Sequence, residues 1–124
     1  MQNVSVYRDP LAPDDPTAFT VSPADCSIWR NDNEITWRLL DPAYEWITIV
    51  FDAEWVMDNG TQPVQVDART FKATGPPPNM SPRPVAYRYT MAVRRVDTGD
   101  TIRIGRRSGG GVAIDPDVWN QPQP

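Results

Sequence analysis

The chain has 124 residues and a formal charge of −4, with 40% hydrophobic residues, five Trp, fourteen Pro, one Cys and no His. This size suits one domain with its own core; the prolines exclude long helices, and Cys26 alone excludes an internal disulfide framework, which fits a reducing compartment or a bacterial source. Without His, the Ser-His-acid and Cys-His catalytic arrangements and most zinc and copper sites are excluded.

In chain order, residues 1–16 are polar and carry Pro10, Pro13 and Pro16, which predicts an extended Pro-rich arm with at most a short strand at residues 4–7. The arm lacks the apolar stretch of a signal peptide, and no apolar run approaches the roughly 18 residues of a membrane span. A cytoplasmic protein with no membrane partner is therefore expected. Residues 17–21 and 27–30 read as two strand pieces broken at Ser22-Pro23, the mark of an edge or of a strand that changes sheets. The turn cluster Asn31-Asp32-Asn33 leads into a strand with Ile35, Trp37 and Leu39 on one face. Residues 46–57 are the longest apolar run. Read as a single strand, they place Ile47, Ile49, Phe51 and Trp55 inward and Trp46 and Val50 outward. Asn59-Gly60 then predicts a hairpin pairing Trp55 with Val64, and Pro63 makes the return strand an edge.

Residues 71–74 predict another short strand, and residues 75–84, with five Pro, a crossover between sheets. The clearest pattern follows: Val85, Tyr87, Tyr89, Met91 and Val93 alternate with Ala86, Arg88, Thr90, Ala92 and Arg94, giving a strand with one buried and one wetted face. A tight turn on Thr98-Gly99 would pair Val93 with Ile104 and set Arg94 across from Arg103. Residues 105–111 predict a flexible loop and residues 112–114 a last strand. Seven or eight short strands with frequent turn signals specify an all-β fold, a two-sheet antiparallel sandwich. The domain spans residues 17–119, with a disordered tail at 120–124. Its core is expected to contain Ile35, Trp37, Ile47, Ile49, Phe51, Tyr87, Tyr89 and Met91.

Charge is unevenly spread. Residues 1–82 carry five basic and twelve acidic groups, whereas residues 83–107 carry seven Arg against Asp97 and Asp100. Arg88, Arg94, Arg103, Arg106 and Arg107 could form a basic stripe facing an acidic protein or the chain's own carboxylates. Nucleic acid is disfavoured as a partner, because the chain is acidic overall and no aromatic residue shares the stripe to stack on bases. Arg106 and Arg107 beside Gly109, Gly110 and Gly111 are a candidate anion contact, without the Gly-Lys-Ser/Thr ending of a phosphate loop. Cys26 has no base beside it in sequence and reads as a buried thiol. Asp52 with Glu54, and Asp115 with Asp117, read as solvated charge. No catalytic residue, metal site or cofactor is therefore assigned.

The order of the Ile35-Thr36-Trp37 strand, Pro-rich crossovers and a late Tyr-rich hairpin resembles immunoglobulin-like and cupredoxin-like sandwiches. The absence of His limits any cupredoxin kinship to the fold. Asp41-Pro42-Ala43-Tyr44-Glu45-Trp46 resembles the Asn-Pro-Thr-Thr-Gly-Tyr-x-Trp loop of chagasin-type cysteine-protease inhibitors, and Arg83-Pro84 matches part of their Arg-Pro-Trp loop. Val85 stands in place of that loop's aromatic residue. The resemblance implies that Tyr44, Trp46, Arg83 and Pro84 contact a protease.

The function expected from the sequence is a small non-enzymatic binding or adaptor module. Tyr44 and Trp46 serve as aromatic anchors for a protein partner, and the Arg series supplies charge. A homodimer through an edge strand such as residues 64–66, or through a sheet face, is a further expectation. A carbohydrate-binding module is the alternative, and it needs Trp46 or Trp119 exposed and flanked by polar groups. A chagasin-like inhibitor is the third reading.

Overall fold

The computed structural model describes residues 1–15, 17–104, 106–107, 113–114 and 116–122. Its strands are β1 (Gln2–Arg8), β2 (Phe19–Ser22), β3 (Asp25–Ile28), β4 (Glu34–Leu39), β5 (Tyr44–Phe51), β6 (Val64–Asp67), β7 (Thr70–Thr74), β8 (Val85–Arg95), β9 (Thr101–Ile104), β10 (Arg106–Arg107), β11 (Ala113–Ile114) and β12 (Asp117–Asn120). A single short helix, α1 (Ala53–Met57), follows β5. Sheet I has the order β2-β1-β4-β7-β6; sheet II has the order β3-β12-β8-β5. β9 pairs with β8 beyond the end of β12, and β10 pairs with β11 separately. No helix among the described residues is long and apolar enough to cross a membrane.

β8 is the spine of sheet II. Its first residues pair with β12, its later ones with β9, and its opposite edge with β5. The alternation read from the sequence holds along it: Tyr87, Tyr89, Met91 and Val93 are buried. Ile35, Trp37 and Leu39 of β4 meet them from sheet I. Trp37 lies edge-on to Phe51 and Tyr89, with ring centres 5.9 and 5.5 Å away. Such pairs add to the burial of large apolar surfaces.

The two sheets are mixed rather than purely antiparallel. β1 runs parallel to β4, and β12 runs parallel to β3. At Ser22–Pro23, a cis peptide, the chain leaves sheet I as β2 and enters sheet II as β3. The chain turns at Trp29 and Asp32 and returns to sheet I, so β4 takes the direction of β1. The strand that changes sheets was legible at Ser22-Pro23, whereas its consequence for strand direction is non-local.

Residues 2–8 are not an arm. They form β1 inside sheet I, with Val4 and Val6 fully buried. The loop after β1 is tied down by the Arg8 guanidinium, whose Nη2 donates to the Asp15 carbonyl at 2.6 Å and whose Nε donates to the Ala18 carbonyl at 3.2 Å. At the other end, Asn120 belongs to β12 rather than to a disordered tail, and its Nδ2 donates to the Pro77 carbonyl.

The apolar run at residues 46–57 is not one strand. β5 shifts register against β8 between Trp46 and Thr48, which adds one residue to β5 and reverses its pleat. Tyr44 and Trp46 therefore point inward together with Ile49 and Phe51, while Ile47 is 43% exposed and drops out of the expected core. After Phe51 the chain turns into α1 and not into a hairpin arm. Trp55 stacks on Phe51 at 3.8 Å between ring centres, and its Nε1 donates to the Thr61 carbonyl. Asn59-Gly60 ends the helix, with Asn59 at φ 68°. β6 then pairs with β7 in sheet I, so Val64 never meets Trp55; it is nonetheless an edge strand, as Pro63 implied.

The β8–β9 hairpin is also longer than read. Val93 faces Ile102, and Met91 faces Ile104. The Arg95 N–H donates to the Asp100 carbonyl, leaving a four-residue loop that ends in Gly99 at φ 77°. The shift of two residues keeps Ile102 and Ile104 inward but moves Arg103 opposite Ala92, not Arg94.

Two predictions follow from this packing. A Cβ at Gly60 would lie 2.7 Å from the Trp55 ring, so Gly60→Ala should lower stability by about 1–3 kcal/mol in urea unfolding. Burial, with a smaller push from Asp32, raises the Cys26 thiol from 9.0 to about 11, and burial likewise raises the Tyr87 and Tyr89 phenols. Each group is held neutral in the folded chain, so its contribution is complete below the unfolded pKa and is lost as pH rises through the folded one. Stability should fall progressively above about pH 9, and Cys26→Ala should flatten the first part of that decline.

Candidate functional site

The aromatic anchors expected from the sequence lie in the core. Tyr44 is 2% and Trp46 3% exposed. Tyr44 packs edge-on against Phe19 at 5.1 Å and accepts a hydrogen bond from Arg8 Nη1; Trp46 packs edge-on against Phe71 at 6.0 Å. The register shift in β5 is the reason, since a regular strand would have turned both outward. The chagasin-like arrangement is lost with them. Tyr44 sits opposite Arg95 at the end of β8, while Arg83 and Pro84 precede its first residue, Val85. Eleven residues of strand separate the two segments by roughly 35 Å.

The Arg series is mostly engaged by the chain's own groups. Arg94 Nη2 donates to Glu45 Oε1 on β5, and Arg88 Nε lies 3.7 Å from Asp117 Oδ1 on β12. Arg103 is likewise partnered. Of these pairs, Arg94–Glu45 joins the basic portion of the sequence to the acidic one across sheet II. Arg106 and Arg107 are described only as the backbone of β10, and the glycine-rich anion contact at residues 105–111 otherwise lies outside the described residues.

What remains on the outer face of sheet II is a different constellation. Val118 and Asn120 point inward from β12, so Asp117 and Trp119 point outward, and Trp119 is half-buried. Its neighbours across the sheet are Ser27 of β3 and Ala86 of β8. Gln121 Nε2 donates to Ser27 Oγ at 3.0 Å, adding an ordered amide and hydroxyl to that face. The alternation of β3 continues to Trp29, which is 48% exposed on the same side as Ser27. Two residues along the strand and one strand across place Trp29 roughly 8 Å from Trp119 at the backbone.

Beside Trp119 lies an open hollow of about 410 Å³, lined by Asp52, Glu54, Ala86, Tyr87, Arg88, Asp117 and Trp119. The Asp52 N–H donates to the Arg88 carbonyl, which fastens the start of α1 against β8. No group of three or more His, Cys, Asp or Glu among the described residues is arranged to hold a metal ion. The hollow therefore offers an aromatic surface, a guanidinium and carboxylates, a set suited to binding a polar ligand with one apolar face. Trp119 was already named by the carbohydrate alternative. Trp29, Ser27 and Gln121 were not; the alternation after Cys26 and Ile28 is the signal that could have found Trp29.

No protein-family model matches the chain, and no curated protein is detectably similar to it in sequence.

The placement of Trp46 has a direct test. Trp46→Ala should destabilise the fold by about 3–5 kcal/mol in denaturant unfolding. Glu45→Ala, which removes only an exposed ion pair with Arg94, should change stability by no more than about 1 kcal/mol.

Proposed function

We propose that this chain is a non-enzymatic carbohydrate-binding module whose ligand lies on the outer face of β3, β12 and β8. The observation that carries the reading is Trp119, half-buried at the wall of an open hollow and flanked by Arg88, Asp117, Asp52 and Glu54. A sugar ring presents C–H groups on its faces and hydroxyls around its rim. An indole can stack on the former, while carboxylates, a guanidinium and an amide can bond the latter. Trp29 extends the aromatic surface beyond one ring, which favours an oligosaccharide over a monosaccharide.

The finer fold reading is a cupredoxin-like sandwich without its metal. The parallel β1–β4 and β3–β12 pairs support it over the immunoglobulin-like order, whose two sheets are antiparallel. The adaptor reading has lost Tyr44 and Trp46 as exposed anchors. One observation still favours a protein partner, namely a second copy of this chain: every residue of edge strand β6 is exposed, with Val64 at 65% and Val66 at 57%.

Calorimetric titration with a panel of soluble oligosaccharides tests the proposal. At least one should bind, and Trp119→Ala should weaken it tenfold or more while leaving the circular dichroism unchanged. Binding that survives Trp119→Ala, or no binding across the panel, would overturn it. Light scattering that reports a concentration-dependent dimer abolished by Val66→Lys would favour the β6 reading instead.

A further inference from the structure

We infer that the ligand of the Trp119 face carries a positive charge, and that it is an amino sugar or an oligomer of amino sugars whose protonated amine sits against Asp52 and Glu54. The inference rests on the carbohydrate reading above and narrows it. The hollow contains three carboxylates against one guanidinium, and that guanidinium, Arg88, already faces Asp117 across the β8–β12 pair. Asp52 and Glu54 are left over. Both are exposed, and neither side chain has an ion pair or hydrogen bond among the described residues.

Asp52 is the informative residue. It occupies the N-cap position of α1 with extended backbone angles, φ −60° and ψ 162°, and Asp is among the residues that cap best. Its side chain nevertheless makes no cap hydrogen bond and lines the hollow instead. A carboxylate that forgoes its local partner, in a hollow that an indole also lines, offers the two groups that recognise a ligand ammonium: the ring face attracts the cation, and the carboxylates bond its N–H donors. An anionic or sulfated sugar would meet the same carboxylates as repulsion. A neutral sugar would engage them through its hydroxyls alone and leave their charge uncompensated.

The inference is tested by calorimetry on the whole chain with two oligosaccharides of equal length, chitosan-type glucosamine oligomers and their fully N-acetylated counterparts. The glucosamine oligomer should bind roughly fivefold to tenfold more tightly at low salt, and the margin should shrink as salt rises. The double variant Asp52→Asn, Glu54→Gln, which removes the charges and keeps hydrogen-bonding groups of the same shape, should bring the two oligomers to equal affinity; Glu54→Gln alone should remove part of the margin. Circular dichroism and urea unfolding confirm that each variant is folded. Equal binding of the two oligomers, unaltered by the double variant, would overturn the charge inference and leave the Trp119 platform standing. Binding of choline as tight as that of the glucosamine oligomer would overturn the amino-sugar assignment in favour of a simple cation. Failure of both oligomers to bind while a neutral or acidic sugar binds through Trp119 would also overturn it. Failure of every sugar would remove the platform itself.

Discussion

One extra residue in β5 governs where this molecule can and cannot have a site. The register shift between Trp46 and Thr48 turns Tyr44 and Trp46 to the same side as Ile49 and Phe51. Tyr44 then closes one end of the core against Phe19, and Trp46 fills the space beside Phe71. A regular pleat would have left two large aromatic rings on the surface and two holes between the sheets. Buried aromatic groups of this size contribute several kcal/mol each, so the bulge determines both the core and the character of the face it empties. It also leaves Ile47 outside, at a cost far smaller than exposing Trp46.

The readable parts of the sequence were those in which side-chain period and local geometry agree. β8 alternates without interruption, β4 places Ile35, Trp37 and Leu39 inward, and Ser22-Pro23 marks the change of sheets. The 75–84 crossover has too many prolines to be anything but a connector. The bulge carried no such mark: Trp-Ile-Thr-Ile contains no Gly or Pro, and every residue suits a strand. α1 was hidden for a related reason, since Trp55 falls inward whether residues 53–57 continue a strand or form one helical turn after Asp52. The parallel pairs could not be read locally because each joins segments far apart in the chain. At the candidate site, Trp119 was visible as an aromatic residue near the end. Its companions come from β3, β8, β12 and the start of α1, and only the sheet order brings them together.

Electrostatics divides the surface in a way the charge totals conceal. Arg94 with Glu45, Arg88 with Asp117 and Arg95 with Asp97 each join nearby strands or a turn. Exposed pairs like these contribute little to stability; they set a carboxylate beside Arg88 and Arg94 of the expected basic stripe. Similarly, Asp32 receives the amino group of Met1 and a hydrogen bond from Gln2 Nε2, which holds the first residues of β1 beside the turn after β3. The Asp52 and Glu54 carboxylates have no such assignment, and they lie where the aromatic surface is.

Rigidity connects these observations. β12 is held on one edge by β3 and on the other by β8, with the Tyr89 N–H bonded to the Pro116 carbonyl just before it. Inward-pointing Val118 and Asn120 anchor the same strand from below, and Asn79 Nδ2 donates to the Asn120 carbonyl. Trp119 therefore projects from a strand whose backbone is fixed on both sides. A ligand settling on it does not have to order a loop first, so less of its interaction energy is lost to conformational entropy. That is the physical difference between Trp119 and an aromatic residue at a loop tip.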